Sequence, residues 1–210
     1  MITPLEPSIN PEYRFYYWGP LLFKIKISPF HLKACAKLCN EKEGKANDTL
    51  VGIIEHEYYI NRYKYQEIIN PYLNSFENAF QHWYGKPLVK NLKKLIMSKA
   101  WVNFMTAGEF NPPHIHDADL SSVLFIQVPK ILKEEYKNFK ERKQHIGKTK
   151  TGPGVLEFLY GEHQPYSISE VTAFPEEGDL YIFPATLTHL VFPFKSKGER
   201  ISVGANFKLK

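Results

Sequence analysis

The chain has 210 residues, of which 43% are hydrophobic and 15% aromatic, so its composition is that of one globular domain with a substantial core. Its net charge is +5, and we expect a cytosolic protein, because neither a run of about 18 apolar residues nor a basic leader followed by an apolar segment occurs. Cys35 and Cys39 lie one helical turn apart in a segment with helical periodicity, which favours buried free thiols over a disulfide.

The first half of the chain has the pattern of a supporting layer. Residues 23–27 alternate apolar and polar side chains as a strand does, and a helical period follows over 29–38. A polar linker is predicted over 41–48, and an amphipathic helix with one wide apolar face over 66–84. We expect these helices to pack against a sheet.

From about residue 90 onward the apolar period changes to two. Short strand patterns are separated by proline, glycine, asparagine and charged clusters, and they cover residues 95–105, 122–128, 154–159, 179–183, 189–194 and 200–207. Such a series favours an antiparallel sandwich or barrel. The sequence therefore predicts an α+β chain with a single domain over 1–210, divided into helical support over about 1–90 and a β core over about 91–210.

The net charge is concentrated in an insertion over residues 130–152, between two predicted strands. Eight lysine or arginine residues stand there against three glutamates, which accounts for the whole charge of +5. A solvated helix and loop is the expected structure, and a lid or substrate clamp is an alternative role. No nucleic-acid motif or aromatic stacking platform accompanies the charge, so we do not expect a nucleic-acid partner, although the basic insertion leaves that question open.

A His-x-His pair, His114 and His116, gives the first candidate metal ligands. Side chains at positions i and i+2 of a strand project from the same face, so both imidazoles can reach one ion. Asn111-Pro-Pro precedes the pair and excludes a central strand, which predicts that the histidines begin a strand at a sheet rim. His189, at the start of another predicted strand, could complete a three-ligand set that leaves positions open for Fe(II) to bind a co-substrate and O₂. Taken alone, the pair is also compatible with two rim histidines that bind no metal.

The last predicted strand divides by parity. Its polar residues occupy positions 200, 202, 204 and 206, and its apolar residues occupy positions 201, 203, 205 and 207. The apolar face suits cover by the N-terminal helices, so the polar face lines a cavity or meets solvent. An arginine in a cavity needs an anion, and the planar fork of Arg200 suits a carboxylate, with Ser202 as a further donor. An ion pair between Arg200 and an internal aspartate or glutamate is the structural alternative.

In order and spacing, these residues resemble the 2-oxoglutarate and Fe(II)-dependent oxygenases, in particular a subgroup with a His-x-His pattern. The positions that match are Trp101-Val-Asn103, Gly108, His114-Ile-His116, Leu120-Ser121, Phe183-Pro184, His189 and Arg200-Ile-Ser202. The resemblance spans roughly residues 95 to 210. Arg200 follows His189 by the eleven residues usual between the distal iron ligand of the family and the arginine that binds 2-oxoglutarate.

The resemblance implies a double-stranded β-helix, the cupin-like jelly roll, with N-terminal helices packed on one sheet. It implies Fe(II), 2-oxoglutarate and O₂, with Arg200, Ser202 and Asn103 contacting 2-oxoglutarate. The expected reaction is a hydroxylation coupled to decarboxylation of 2-oxoglutarate to succinate. Relatives suggest a peptidyl side chain such as proline as the primary substrate, while a small metabolite or a nucleobase stays open.

One position departs from the pattern of the wider superfamily, His-x-Asp or His-x-Glu, because residue 116 is a histidine. Either His114, His116 and His189 bind the iron, which we prefer, or a bulge or turn lets Asp119 supply a carboxylate. Asp117 is the weaker choice, because adjacent strand residues point to opposite faces. Asp119 could instead orient His116.

Two other classes of protein stay open at the level of sequence. One is a cupin-like metalloenzyme that does not use 2-oxoglutarate, and the other is a non-catalytic jelly-roll binding protein. Arg200 separates the first from the oxygenases, because only a 2-oxoglutarate enzyme needs it.

Overall fold

The computed structural model describes residues 19–85, 95–143, 151–165 and 167–209. Three features considered in the sequence lie outside the described residues: the N-terminal stretch examined for a leader, the boundary near residue 90, and positions 144–150 of the basic insertion.

The described residues form three α-helices and eleven β-strands. The helices are α1 (Pro29–Leu38), α2 (Arg62–Tyr84) and α3 (Lys130–Lys143). The strands are β1 (Phe23–Lys26), β2 (Lys42–Lys45), β3 (His56–Ile60), β4 (Leu95–Met105), β5 (Asn111–His114), β6 (Leu120–Gln127), β7 (Leu156–Leu159), β8 (Glu170–Ala173), β9 (Asp179–Pro184), β10 (Thr188–Val191) and β11 (Arg200–Leu209). Within these ranges, no helix combines the length and the apolar character needed to cross a membrane.

The strands form two antiparallel sheets. The large sheet has the order β1-β9-β6-β11-β4-β3-β2, and the small sheet has the order β5-β10-β7-β8. From β4 onward the chain passes repeatedly from one sheet to the other, which is the jelly-roll arrangement. The predicted α+β class and double-stranded β-helix are therefore confirmed.

Two hydrophobic clusters hold these layers together. The first joins α1 and α2 to the outer face of the large sheet, and it contains Val203, Ala205 and Phe207 of β11, as the parity of that strand predicted. The second contains buried side chains from both sheets, among them Phe125 and Phe158. Thus the helices cover one face of the large sheet, and its other face looks into the space between the sheets.

The two cysteines belong to the helical layer. Cys35 and Cys39 are free and buried, as expected, and burial raises the pKa of each thiol to about 12. Both thiols are therefore protonated at neutral pH and act as small core side chains.

Polar caps set the ends of the helices. The Ser28 side chain accepts a hydrogen bond from the His31 N–H at the start of α1. Asn61 caps the Lys64 N–H in the same way, so α2 begins four residues before the predicted start at residue 66. Gly85 ends α2 in the left-handed conformation, with φ 65°.

The N-terminal part of the chain supplies strands as well as helices. Residues 42–45, predicted as linker, form β2, all of whose residues are exposed. This strand pairs with β3, which pairs with β4 of the β core. The first ninety residues therefore extend the large sheet in addition to covering it.

The described part of the basic insertion is the charged helix that the sequence predicted, α3. Its buried Leu132 faces the protein, and the Glu135 carboxylate accepts the N–H groups of Lys195 and Ser196. Tyr136 stacks on Phe174 with ring centroids 4.2 Å apart. None of the described residues of α3 lines the cavity between the sheets.

Candidate metal centre

Three histidines meet in a cavity between the sheets. His114 ends β5 and faces His189 of β10 in the strand register, with ring centroids 4.2 Å apart. His116 follows two residues later, and its Nε2 lies 3.2 Å from the Nε2 of His189. One ligand atom from each histidine lies within 4.8 Å of the others, so the three side chains could hold one metal ion.

The histidine pair ends a strand, whereas the sequence predicted that it begins one. Asn111 and the two prolines are themselves part of β5, the edge strand of the small sheet. An edge strand tolerates proline because one of its sides makes no ladder hydrogen bonds. His116 lies in the turn beyond, where its N–H donates to the Ala185 carbonyl at 2.8 Å. This turn, rather than strand alternation, directs the His116 imidazole.

Backbone carbonyls orient two of the imidazoles. The Nδ1 of His114 lies 2.7 Å from the Pro112 carbonyl oxygen, and the Nδ1 of His189 lies 2.9 Å from that of Leu187. A carbonyl only accepts hydrogen bonds, so each Nδ1 carries the hydrogen. Each Nε2 therefore keeps a lone pair for a metal ion.

Burial keeps the three imidazoles neutral at physiological pH. Desolvation lowers the pKa of His114. Desolvation, with a smaller contribution from neighbouring charged groups, lowers the pKa of His116 to about 4 and that of His189 to about 3. The neutral imidazole is the form that binds metals. Two nitrogens held at about 2.1 Å from one ion in adjacent positions lie about 3 Å apart, so the 3.2 Å between His116 and His189 fits a shared ion.

Neither aspartate considered as a replacement ligand belongs to this group. The Asp119 carboxylate accepts the Leu209 N–H at 2.7 Å, and the exposed Asp117 forms an ion pair with Lys208 at 3.3 Å. Across the described ranges, the group of potential ligands at this place consists of three imidazoles and no carboxylate.

Aromatic rings enclose the imidazoles. The Trp101 ring lies 5.6 Å from that of His116, and the Phe183 ring lies edge-on to that of His189 at 4.8 Å. A Cβ atom at Gly204 would lie 2.4 Å from the Trp101 indole, so only glycine leaves room for this ring against β11. Gly204 thus allows the indole to pack beside His116.

Arg200 is fully buried, with 1% of its surface exposed. Its Nη1 donates to the Gly154 carbonyl at 3.1 Å, its Nη2 lies 2.7 Å from the Met105 sulfur, and its guanidinium lies over the Phe125 ring. The Nε has no hydrogen-bond partner, and no carboxylate of the described chain pairs with the guanidinium. Burial lowers the pKa of Arg200 to about 10, so the group is charged at neutral pH. A buried cation without an internal counterion is suited to an anionic ligand.

The Gly154 carbonyl, which accepts a hydrogen bond from Arg200, is positioned by packing against α3. Gly154 has φ 71°, a left-handed conformation, and a Cβ atom at this position would lie 3.1 Å from the Leu132 methyl groups. Leu132 of α3 therefore packs directly on the glycine whose carbonyl accepts from Arg200.

The histidines and the arginine share one cavity of about 400 Å³. All four polar-face positions of β11 line it, which confirms that this face looks into a cavity: Arg200, Ser202, Gly204 and Asn206. Asn103 of β4 faces Ser202 in the strand register, and its Oδ1 is buried without a partner. The cavity thus combines a metal-binding group with a polar wall that has unused hydrogen-bonding capacity.

The sequence motif spanning the cavity residues also matches a known family. A family model described as "Putative 2OG-Fe(II) oxygenase" matches residues 99–206, just over half of the chain. The chain belongs to this oxygenase family. The protein is therefore an oxidoreductase, a dioxygenase that uses Fe(II), 2-oxoglutarate and O₂, and the cupin-like and non-catalytic alternatives are wrong.

Solved structures share the fold of this oxygenase. A prolyl-4-hydroxylase from Pseudomonas putida is 16% identical, with a TM-score of 0.54 over 90% of this chain and 92% of that one. A 2OG-Fe(II) oxygenase family oxidoreductase from Burkholderia pseudomallei is 12% identical, with a TM-score of 0.53 over 89% and 84%. A prolyl hydroxylase from Trichoplax adhaerens, solved with a hypoxia inducible factor peptide fragment, is 13% identical, with a TM-score of 0.52 over 89% and 83%. Comparison with curated proteins gives no match.

Sequence reasoning did not single out Glu57, a cavity residue of β3. It is 1% exposed and faces Asn103 in the strand register. Its neighbours His56, Tyr58 and Tyr59 are exposed or half-buried aromatic residues, so no alternation of polar and apolar residues marked this strand. Only pairing with β4 brings the carboxylate into the oxygenase cavity.

Proposed function

We propose that this oxygenase is a hydroxylase in which His114, His116 and His189 hold Fe(II) and Arg200 binds the distal carboxylate of 2-oxoglutarate. The observation that carries the assignment is a fully buried arginine without a carboxylate partner in the cavity that also contains three clustered imidazoles. When bound, iron with 2-oxoglutarate and O₂ supplies the oxidant, so that one oxygen atom enters the substrate and the other leaves in succinate, with release of CO₂.

Charge complementarity supports this assignment. Three neutral imidazoles leave the charge of a divalent ion uncompensated by its protein ligands, and Arg200 is a further cationic group in the same cavity. A dianion with two carboxylates can place one carboxylate at each of these two cationic groups. The unpartnered Arg200 Nε and the Ser202 hydroxyl can donate to one carboxylate, and the Asn103 amide is a further hydrogen-bonding group beside them. The rings of Trp101 and Phe183 shield one side of the His116 and His189 imidazoles from water.

Anaerobic spectroscopy tests the assignment. Fe(II) and 2-oxoglutarate should together produce a visible metal-to-ligand charge-transfer band in the wild-type protein. Arg200→Ala should require about 100-fold more 2-oxoglutarate or higher for the same band while Fe(II) binding is retained, because one partner of a buried charge pair is removed. The matched control is Arg142→Ala, on the exposed surface of α3. Absence of the band in wild type, or equal behaviour of both variants, contradicts the assignment.

We infer that the primary substrate is a side chain of a polypeptide. Three large apolar residues are exposed near the cavity: Val51, Ile53 and Ile115, at 49%, 59% and 55%. Val51 and Ile115 line the cavity itself. A cavity of this size can enclose a small metabolite, which has no need of an exposed apolar rim, whereas such a rim is typical of protein contact surfaces.

Turnover of peptide pools tests this inference by a mass gain of one oxygen atom. Val51→Ser combined with Ile115→Ser should raise KM for a hydroxylated peptide about tenfold and leave kcat nearly unchanged, since rim contacts act on binding. Ile168→Ser, at an exposed isoleucine that does not line the cavity, is the control. Hydroxylation of a free metabolite with the kcat/KM of the best peptide speaks against a polypeptide substrate.

A further inference from the structure

Glu57 is a buried carboxylate that the roles above leave unused. It lines the cavity with 1% of its surface exposed. Its Oε2 has no partner, and its side chain forms neither an ion pair nor a hydrogen bond with any described residue. Burial, with a smaller contribution from the nearby Glu109, raises the pKa of Glu57 to about 7. A buried carboxyl group without a partner is costly, and it marks a place where a ligand can satisfy it.

The position of Glu57 separates it from the co-substrate. Glu57, Asn103 and Ser202 form one row across β3, β4 and β11. Neighbouring strands lie about 4.8 Å apart, so the backbones of Glu57 and Ser202 are about 10 Å apart. Glu57 is therefore placed beside the proposed carboxylate site, on the side of residues 49–52, which also line the cavity.

Acceptor oxygens converge near Glu57. A Cβ atom at Gly52 would lie 2.5 Å from the Asn111 Oδ1 and 2.8 Å from the Glu57 Oε1, so these two oxygens, from different strands, lie near each other against Gly52. The Asn103 Oδ1, in the same row as Glu57, is also buried without a partner. The group therefore brings together three side-chain acceptor oxygens, one of them on a carboxyl group.

We propose that Glu57, with the amide oxygens of Asn103 and Asn111, forms a subsite for a cationic side chain of the substrate, an ammonium or a guanidinium group. Such a group donates several hydrogen bonds and neutralises the carboxylate, whereas an uncharged donor would leave the buried charge uncompensated. The assignment rests on the proposed function in one respect, the polypeptide substrate, and it specifies a lysine or arginine of that polypeptide as the recognised residue.

Small probes test the subsite in the full-length protein. The probes are Nα-acetyl-lysine N-methylamide, its arginine counterpart and its uncharged norleucine counterpart, and binding is followed by NMR titration without metal and, anaerobically, with Fe(II) and 2-oxoglutarate. The cationic probes should bind wild type at least about tenfold more tightly than the norleucine probe. Glu57→Gln should abolish this difference. Glu55→Gln, which removes an exposed carboxylate two residues away, should keep it.

The comparison of probes on wild type decides the proposal even if Glu57→Gln fails to fold. Equal binding of the cationic and norleucine probes, including no detectable binding of either, overturns it, as does an unchanged preference in folded Glu57→Gln. The charge-transfer band is an independent readout. If wild type prefers the cationic probes but shows no charge-transfer band, the subsite is retained and the proposed iron and 2-oxoglutarate roles are refuted. If it shows the band but no preference, those roles are retained and the subsite is refuted.

Discussion

Replacing Arg200 by methionine separates what this side chain costs the fold from what it contributes to co-substrate binding. Burial lowers the Arg200 pKa from 12.5 to about 10, so the group stays charged at pH 7, but its charge is less favourable in the folded state than in the unfolded state. One pKa unit corresponds to about 1.36 kcal/mol, so the buried charge costs about 3 kcal/mol. Methionine removes this cost but leaves the Gly154 carbonyl without its donor, at about 1–3 kcal/mol. Without co-substrate, we expect the free energy of unfolding to stay equal or to rise by up to about 2 kcal/mol.

With Fe(II) and 2-oxoglutarate present, the expected effect has the opposite sign. Loss of one partner of a buried charge pair costs about 3–5 kcal/mol, which weakens binding about 10²- to 10⁴-fold. A ligand at 100 times its Kd stabilises the folded state by about 2.7 kcal/mol. Anaerobic urea denaturation with and without the co-substrate should show this stabilisation for wild type and little of it for Arg200→Met.

Arg200→Lys is the matched control because it keeps the charge and loses the planar fork. It should not gain stability without co-substrate, and it should bind 2-oxoglutarate more tightly than Arg200→Met does. A loss of more than about 2 kcal/mol in Arg200→Met without co-substrate, or equal stabilisation of Arg200→Met and wild type by 2-oxoglutarate, would refute the reasoning.

Four further predictions concern other parts of the structure. His189→Ala should weaken Fe(II) binding by at least about 100-fold, since a proposed ligand is removed. Asp119→Ala should bind the metal as wild type does and lose about 1 kcal/mol of stability, because it removes the hydrogen bond to the Leu209 N–H. Metal titration and denaturation distinguish the two variants. Gly204→Ala should displace the Trp101 indole, lower the melting temperature and change tryptophan emission, because the new methyl group would lie 2.4 Å from the ring. Glu57→Gln should become more stable relative to wild type as the pH rises. Burial raises the pKa of Glu57 from 4.5 to about 7, so the free energy of unfolding of wild type should fall by up to about 3 kcal/mol between these two pH values. Urea denaturation of both proteins at pH 5 and pH 8 measures the difference.

The parts of the fold that could be predicted are those in which residue type and spacing act together. In β11 the alternation of polar and apolar residues was unbroken, and the structure places Val203 and Ala205 in the core and Ser202 in the cavity. A buried arginine needs an anionic partner, so the position of Arg200 on the cavity face of β11 was enough to predict an anion there. The assignment of the histidines and Arg200 to iron and 2-oxoglutarate stays a prediction.

The remaining parts depend on pairings that no local pattern specifies. Residues 42–45 are all polar or glycine and exposed, and they are a strand only because β3 lies beside them. Glu57 enters the cavity because β3 pairs with β4, whose Asn103 is far away in the chain. The i, i+2 spacing predicted correctly that His114 and His116 lie together. The direction of the His116 side chain, however, is set by the turn after β5 and not by strand alternation.

The packing of Leu132 on Gly154 links the outer surface of the protein to the cavity. The charged face of α3 is in solvent. On the inner face of the helix, Leu132 packs against Gly154, whose carbonyl accepts a hydrogen bond from Arg200. We expect substitutions on the outer face of α3 to leave these contacts intact, and a shift of the helix axis to displace the acceptor of the guanidinium. The helix that carries much of the positive charge therefore supports the acceptor of Arg200 through its apolar face, and we expect its position, not its charge, to set the geometry at the Arg200 end of the cavity.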